Sequence, residues 1–342
     1  MGAERAFSQR WARRGLQWAI GAGGIAAIVG SGGIGISWPP YPCPGTICQQ
    51  FVWVDVEPPR QTAQVGQTVT FRALESGTVS AQHYQWCRYA PGGATCAPIA
   101  GATGSTLTIQ NVNLADDQAR YEVTATASGA TGHTSSGQLL VSTAPAVVFE
   151  DGEFVEAGWS WSAFAGFPPG TPSAAVSVSR PASGGNPGAY RAVEYGPLTV
   201  GERMFATHVA VGATYDPGQL GAIYAIDFRA ECKGLSGYGV RMGVRPLLRQ
   251  GARTYLGSSL YRQSCEEPNW AFDSGRGSLV ASDFSQIVAG PPCGAGESCP
   301  DWSAAGAPIT FGMYTENDHV DAGPAGVASQ GVDNWRVGVW RR

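Results

Sequence analysis

Residues that could support catalysis are few in this sequence and form no recognisable catalytic pattern. His208 and His319 have no partner at a fixed spacing. Residues 234–238 (GLSGY) depart at the last position from the G-x-S-x-G turn that carries a nucleophilic serine. A retaining glycosidase needs two carboxylates roughly 5 Å apart, and the E-x-D-x-x-E string that would place them along one strand does not occur. We therefore favour a non-enzymatic function and keep a polysaccharide-active hydrolase as an alternative.

The densest group of possible metal or sugar ligands is residues 316–321 (ENDHVD). Gly323 and Pro324 follow, so the segment is predicted to be a loop that leads into a turn. In one interpretation this loop binds a metal ion or a sugar. In the other it is simply a solvated loop, which is the commoner role of a charged segment before a turn.

Tryptophans are candidate ligand-binding residues, because an indole ring can stack on a sugar ring while its N–H keeps a polar contact. The four candidates are Trp159, Trp161, Trp270 and Trp302. Trp159 and Trp161 share one face of an extended strand, whereas Trp270 and Trp302 lie in loop-like stretches near cysteines. The alternative is that these tryptophans pack in the core. Core packing is favoured for one of Trp159 and Trp161, whereas for Trp270 and Trp302 the two interpretations are equally supported.

The cysteines indicate a protein that folds in an oxidising compartment. There are eight, all beyond residue 37: Cys43, Cys48, Cys87, Cys96, Cys232, Cys265, Cys293 and Cys299. An even number behind an export signal predicts disulfides, and pairing of sequence neighbours is one of several possible connectivities. No C-x-x-C spacing occurs and the chain has only four histidines, which disfavours a zinc site.

The composition indicates an all-β protein. The 342 residues include 48 Gly and 23 Pro, which disfavour long helices and exclude a helical bundle or coiled coil. Only 14% of the residues are charged, against about 25% in an average globular chain. The net charge of −4 disfavours nucleic acid as a partner, since nucleic-acid binders carry a basic face.

Residues 1–37 have the layout of an export signal or a membrane anchor, with a basic start and an uncharged stretch behind it. Arg13 and Arg14 before Gly15-Leu16 resemble a twin-arginine signal, although Gln17 stands where that pattern has an apolar residue. An uncleaved anchor is the alternative, and the membrane is a partner only in that case. The protein is expected to be exported, to the periplasm, the cell surface or the extracellular space.

A Pro- and Cys-rich linker (38–51) leads into short alternating segments at 52–143, which predict a β-sandwich. Trp86 and residues 117–121 (DQARY) resemble the strand-C tryptophan and the tyrosine corner of bacterial immunoglobulin-like domains. The inter-sheet disulfide of that fold is absent, and Cys87 could instead pair with Cys96 across a hairpin. Either a spacer or a binding surface is consistent with this domain.

Residues 146–342 are predicted to form a larger β-sandwich of the jelly-roll type. Its ends, 148–152 (VFEDG) and 332–337 (VDNWRV), resemble the first and last strands of galactose-binding-like and carbohydrate-binding domains, and a concanavalin-like sandwich is an equal alternative. The resemblance implies a structural calcium ion held by Glu150, Asp151 and Asp333. The simpler alternative is that these carboxylates accept hydrogen bonds in turns.

Together these features predict an exported binding or adhesion protein in which an Ig-like spacer presents a carbohydrate-binding jelly roll. The expected partner is a glycan or a surface protein. A structural component of a surface or filament assembly is the first alternative, and the hydrolase is the second.

Overall fold

The computed structural model describes residues 16–21, 24–29, 51–127, 130–132, 135–164, 176–198, 202–236, 240–258, 262–271, 277–287, 299–319 and 326–342. Nearly all of the regular structure is β, which confirms the predicted fold class. The chain divides into two compact units, Met1–Gln49 and Gln50–Arg342. Cys43, Cys48 and Cys293 lie outside the described residues.

The first unit contains an antiparallel hairpin of β1 (Leu16–Gly21) and β2 (Gly24–Val29), with Leu16 opposite Val29. Its glycines disfavour a helix, and its isoleucines favour an extended backbone. In the described part of the chain, no helix has the length and apolar character needed to cross a membrane. The export signal predicted for residues 1–37 stays a prediction.

The second unit begins with an Ig-like β-sandwich. One sheet has the order β3 (Val52–Glu57), β5 (Val69–Gly77), β8 (Thr106–Ile109). The other has the order β4 (Arg60–Gln64), β11 (Ser136–Ser142), β9 (Arg120–Ala127), β6 (His83–Tyr89), β7 (Cys96–Pro98), and β10 (Ala130–Gly132) also pairs with β9. Strand β4 runs parallel to β11, and the other pairs are antiparallel.

Trp86 and Tyr121, two of the residues behind the Ig-like prediction, lie in the core of this sandwich. Trp86 is fully buried and its Nε1 donates to the Gly104 carbonyl at 2.8 Å. The Tyr121 ring stacks on Phe71 at a centroid distance of 5.3 Å. The Cys87–Cys96 disulfide joins β6 to β7, which confirms the hairpin pairing. The bond links neighbouring strands of one sheet, so burial of these large rings holds the two sheets together.

A second, larger β-sandwich follows, built from two antiparallel sheets. We call the sheet that contains the last strand of the chain the inner sheet and its partner the outer sheet. The inner sheet has the order β14 (Val176–Ser179), β15 (Arg191–Leu198), β24 (Gly326–Arg341), β17 (Ile223–Ser236), β21 (Ser278–Leu279), and β12 (Val147–Asp151) also pairs with β24. The outer sheet has the order β13 (Trp159–Phe164), β16 (Arg203–Tyr215), β23 (Ile309–His319), β18 (Val240–Gln250), β19 (Arg253–Gly257), β22 (Phe284–Gln286), and β20 (Gln263–Ser264) pairs with β18.

The core of this sandwich centres on Trp335 of β24. Its ring meets Trp159 edge-on at 5.1 Å, and Trp159 packs on Phe154 at 5.2 Å. The Cys232–Cys265 disulfide joins two sequence neighbours, which is one of the connectivities that the sequence left open, and its cysteines are 33 residues apart. Closing a loop of that length contributes about 4 kcal/mol in the chain-entropy estimate. Cys299 is also disulfide-bonded.

Polar contacts connect the two sandwiches. Arg60 Nη1 lies 2.6 Å from Asp283 Oδ2 and donates to the Ser278 carbonyl at 3.2 Å. Thr62 bonds the Ser278 hydroxyl at 2.9 Å. Gly277 has a φ of +69°, and a Cβ there would lie 1.8 Å from the Arg60 carbonyl oxygen. The Ig-like sandwich is therefore held against the second sandwich by hydrogen bonds as well as by the connecting chain.

Replacing Gly277 by Ala tests this contact. Gly251→Ala is the matched control, because Gly251 has a φ of +59° and nothing within 4 Å of its Cβ position. The control is expected to lose about 1–2 kcal/mol of unfolding free energy from backbone strain alone. In Gly277→Ala the unfolding free energy should fall by about 1–3 kcal/mol more than in the control, because the Arg60 backbone must move. Urea denaturation measures both, and equal losses would contradict the close contact.

Candidate ligand-binding site

The four candidate tryptophans are not brought together. Trp159 and Trp302 are each 6% exposed, and both belong to the core of the second sandwich. Trp159 Nε1 donates to Asp151 Oδ2 at 2.7 Å, and the Trp302 ring meets Phe284 edge-on. Rings buried to this extent offer no face to a sugar, so the ligand-binding interpretation fails for these two and core packing accounts for them.

Trp161 and Trp270 remain accessible, but they lie on different sheets. Trp161 is 40% exposed on β13, the edge strand of the outer sheet. Trp270 is half-buried and lies against Gly331 of β24 in the inner sheet. The two accessible tryptophans therefore do not form one binding site, and the neighbours of each have to be considered separately.

Trp270 has the neighbours expected of a ligand-binding surface. The Tyr190 ring meets it edge-on, with centroids 5.4 Å apart. Lys233 Nζ lies 4.5 Å from the Trp270 ring centre and 5.5 Å from that of Tyr190. A Cβ at Gly331 would lie 2.9 Å from Trp270 and 3.0 Å from Tyr190, so glycine allows both rings to approach the strand. We call Tyr190, Lys233, Trp270 and Gly331 the aromatic platform.

Residues 180–190, which join β14 to β15, form one side of the platform and are called the platform loop. Its Gly184 carbonyl accepts hydrogen bonds from Lys233 Nζ and Trp270 Nε1, each at 3.0 Å. Glu231 Oε2 accepts from the side-chain amides of Asn186 at 2.8 Å and Asn334 at 3.0 Å. These bonds set the position of the loop relative to β17 and β24.

Asp333 anchors the same loop from below. Its carboxylate accepts the backbone N–H of Asn186 and, at 2.7 Å, that of Asn334. Burial raises the pKa of Asp333, the two backbone N–H groups oppose that shift, and the nearby Glu231 and Glu153 add to it. Asp333 pairs with Glu231 in the strand register and lies two residues after Gly331, the platform residue on which the two rings pack.

The three predicted calcium ligands do not share a site in this arrangement. Glu150 is exposed and pairs with Arg336 at 3.5 Å, whereas Asp151 is its strand neighbour and points to the other face. Asp151 accepts the backbone N–H groups of Glu153 and Phe154, each at 2.8 Å. Among the described residues no group of three or more His, Cys, Asp or Glu could hold a metal.

The donor chemistry of this set therefore does not fit calcium. Amide and indole N–H groups occupy the oxygens that the ion would need, as the turn hydrogen-bond alternative expects. Calcium binding stays an untested prediction, and no step below uses it.

The segment predicted as a loop at 316–321 begins in a strand. Residues 316–319 belong to β23, so Glu316 and Asp318 share its outer face while Asn317 points inward. Glu316 lies between Arg245, at 3.6 Å, and Arg262. Asp318 pairs with Arg203 at 3.1 Å. Both carboxylates are held in ion pairs with arginine, so the described part of this segment offers the hydrolase alternative no free acid; Val320 and Asp321 lie outside the described residues.

A buried polar chain, which the sequence reading missed, crosses the interior behind the platform. Arg191 Nε donates to His208 Nδ1 at 3.0 Å, and His208 Nε2 lies 3.0 Å from the Thr315 hydroxyl. All three residues have 0% exposure. Burial lowers the pKa of His208 well below its usual value, and the Arg191 charge lowers it further. One feature of the sequence could have indicated the burial of Arg191: two-residue spacing places it on the same face of β15 as Val193 and Tyr195, which are buried.

No protein-family model matches this sequence, and no curated protein matches it significantly. Among solved structures, the N-terminal four Ig domains of Dscam1 isoform 4.44 match at a TM-score of 0.22 and 20% identity, over 26% of this chain and 20% of that one. The N-terminal eight Ig domains of Down Syndrome Cell Adhesion Molecule isoform 1.30.30 match at 0.23 and 14% identity, over 46% and 25%.

A marsupial T cell receptor matches at a TM-score of 0.23 and 12% identity, over 46% of this chain and 93% of the receptor chain. This chain spans about a fifth of the Dscam1 structure. At such TM-scores the likeness carries no argument, and the Ig-like assignment rests on the strand order and core described above.

Replacing Gly331 by Ala tests the geometry of the platform. The new methyl group should displace the Trp270 and Tyr190 rings and so change the near-ultraviolet circular dichroism. Gly338→Ala, on the same strand, is the control, because its Cβ would make only ordinary contacts at 3.7 and 3.8 Å. The control spectrum should match that of the parent protein. An unchanged spectrum in the Gly331 variant would show that the rings do not rest on the strand.

Proposed function

We propose that this protein is an exported carbohydrate-binding protein and that the aromatic platform is its glycan site. The observation that carries the proposal is the half-exposed pair of rings, Tyr190 and Trp270, seated on Gly331 with the Lys233 ammonium against both. Ring faces pack on the C–H groups of a sugar, and the ammonium that lies over the two rings can donate to its hydroxyls.

Hydrogen-bonding groups around the platform favour an uncharged sugar. Asn186 is exposed, and its amide lies beside the Glu231 carboxylate. A hydroxyl group both donates and accepts, so it can bond a carboxylate and an ammonium at once. The carboxylates Glu153 and Glu231 act on Asp333, so negative charge is concentrated beneath the platform loop, which disfavours an acidic glycan through like-charge repulsion.

Export is supported by the disulfides. Cys87–Cys96 and Cys232–Cys265 are formed, and Cys299 is disulfide-bonded as well. Bonds of this kind persist in oxidising compartments and are rare in the cytosol. In this proposal the Ig-like sandwich is a spacer, and its contacts with the second sandwich through Arg60 and Thr62 hold the glycan site at a defined orientation.

A glycan array probed with the full chain tests the proposal. One class of neutral glycan should bind, and Trp270→Ala should weaken its affinity by about five- to a hundredfold, if stacking of a sugar on the ring is worth roughly the 1–3 kcal/mol of a stacked nucleic-acid base. Trp53→Ala is the control: Trp53 is 55% exposed but lies on the Ig-like sandwich, so binding should not change. Chelator should also leave binding unchanged, because the carboxylates predicted to hold calcium accept N–H groups instead.

Lys233 allows a direct test of where the glycan binds, because it is the only lysine in the sequence. Reductive methylation with ¹³C-formaldehyde labels Lys233 and the N-terminus alone. The bound glycan should shift the Lys233 signal. A blank array from folded, disulfide-intact protein would refute the glycan proposal and favour the assembly alternative, and binding without a Lys233 shift would place the glycan elsewhere.

A further inference from the structure

The platform is joined directly to the buried polar chain. Tyr190 is the last residue of the platform loop, and Arg191, the next residue, is the first of β15. The Arg191 side chain enters the interior and is 0% exposed, whereas the Tyr190 ring lies outside against Trp270. The contact between Arg191 and His208 therefore anchors the end of the platform loop that carries one of the two platform rings.

Hydrogen-bond chemistry fixes the protonation state of this anchor. The guanidinium of Arg191 keeps its protons, so its Nε–H must be the donor and His208 Nδ1 the acceptor. Nε2 then carries the imidazole proton and donates to Thr315. A second proton on His208 would sit on Nδ1, where it would face the Arg191 N–H and place two cations 3.0 Å apart inside the sandwich.

The charged groups around the anchor do not offset such a proton. Arg191 is the charge that acts on His208. Glu156 Oε2 lies 3.9 Å from Arg191 Nη1, and Asp151 also acts on Arg191, so both carboxylates stabilise the guanidinium. Tyr195, on the same strand as Arg191, is fully buried, and its raised pKa keeps it neutral. Thr315, from β23, carries no charge.

We propose that the Arg191–His208 contact is an acid-sensitive latch that holds the platform loop in its binding position, so that the protein releases its glycan at acid pH. The proposal rests on the glycan function proposed above and adds its regulation. The latched state contains neutral His208, whereas an unlatched state exposes His208 to water and lets it take a proton.

The direction and size of the effect follow from linkage. Protonation favours whichever state has the higher histidine pKa, which is the unlatched one. Its population relative to the latched state rises about tenfold for each pH unit below roughly 6.5, the ordinary histidine pKa. Between pH 6.5 and pH 4.5 the gain is about fiftyfold, since half of an exposed histidine is already protonated at pH 6.5. Withdrawal of Arg191 moves Tyr190 with it, because the two are adjacent, and the platform loses one of its rings.

Glycan affinity measured by calorimetry between pH 7.5 and 4.5 tests the latch. The parent protein should lose affinity progressively as the pH falls from 6.5 to 4.5, by at most about a hundredfold relative to pH 7.5. In His208→Asn the side-chain oxygen can still accept from Arg191 but does not titrate, so the affinity should fall less than in the parent protein; Asp333, which also holds the loop and has a raised pKa, is present in both. His83→Asn removes an exposed histidine of the Ig-like sandwich and should behave as the parent does. An equal loss of affinity in His208→Asn would overturn the proposal.

A readout that needs no glycan separates this proposal from the glycan function. The ¹³C-methyl signal of Lys233 reports on the platform, since Lys233 contacts Trp270, Tyr190 and the loop carbonyl of Gly184. The signal should change between pH 6.5 and 4.5 in the parent and in His83→Asn, and it should change less in His208→Asn, where Asp333 still titrates but residue 208 does not. A change in this pattern with a blank array would support the latch and refute the glycan. A signal that stays constant in the parent protein would overturn the latch even if His208→Asn does not fold.

Discussion

The alternation of side chains along the last strand, β24, is the constraint on which the second sandwich depends. This strand pairs with β12, β15 and β17, so it lies in the middle of the inner sheet. Val332, Trp335 and Val337 belong to the core between the sheets. Gly331 and Asp333 carry the rings and the loop on the other face. One strand thus supports both the hydrophobic core and the proposed binding surface.

The alternation of side chains between the two faces of β24 is interrupted at Asn334, which has a φ of +46°. A regular strand would turn Trp335 to the same face as Asp333, where a large ring would meet the platform loop. The left-handed residue between them returns Trp335 to the interior, where it meets Trp159. Asparagine tolerates this conformation better than most residues, and its side chain bonds Glu231 and the Asn186 carbonyl. The irregularity therefore serves both the core and the loop.

The interior of the second sandwich is not uniformly apolar, and this has an energetic consequence. Arg191, His208, Thr315, Asn317 and Gln330 are all buried between the sheets. Among the described residues, both Asn317 side-chain atoms, Gln330 Oε1 and the two terminal nitrogens of Arg191 lack a hydrogen-bond partner. Each unsatisfied buried polar group costs about 1–3 kcal/mol. The polar chain is thus held in place by the surrounding core rather than stabilising it, which is why a change of charge at His208 can shift its position.

Much of the architecture could be read from the sequence because its causes are local. Glycine and proline exclude long helices, period-two alternation predicts strands, and Cys87 and Cys96 are close enough along the chain to bridge a hairpin. Trp86 could be placed in the core because Trp86 and residues 117–121 resemble the strand-C tryptophan and the tyrosine corner of immunoglobulin-like domains. These features depend on neighbours within a few tens of residues.

The candidate site could not be read in the same way. Alternation along a strand shows that there are two faces, but it does not show which face a second sheet covers. Trp302 and Trp270 both look like loop residues in the sequence, yet Trp302 is buried against Phe284 whereas Trp270 is only half-buried beside Lys233. The sequence predicts a loop at Glu316, whereas this residue lies in a strand between arginines from other parts of the chain. The sequence by itself determined the strands and the local disulfide. Only the tertiary structure decided which polar groups are buried, because burial depends on residues that are distant along the chain.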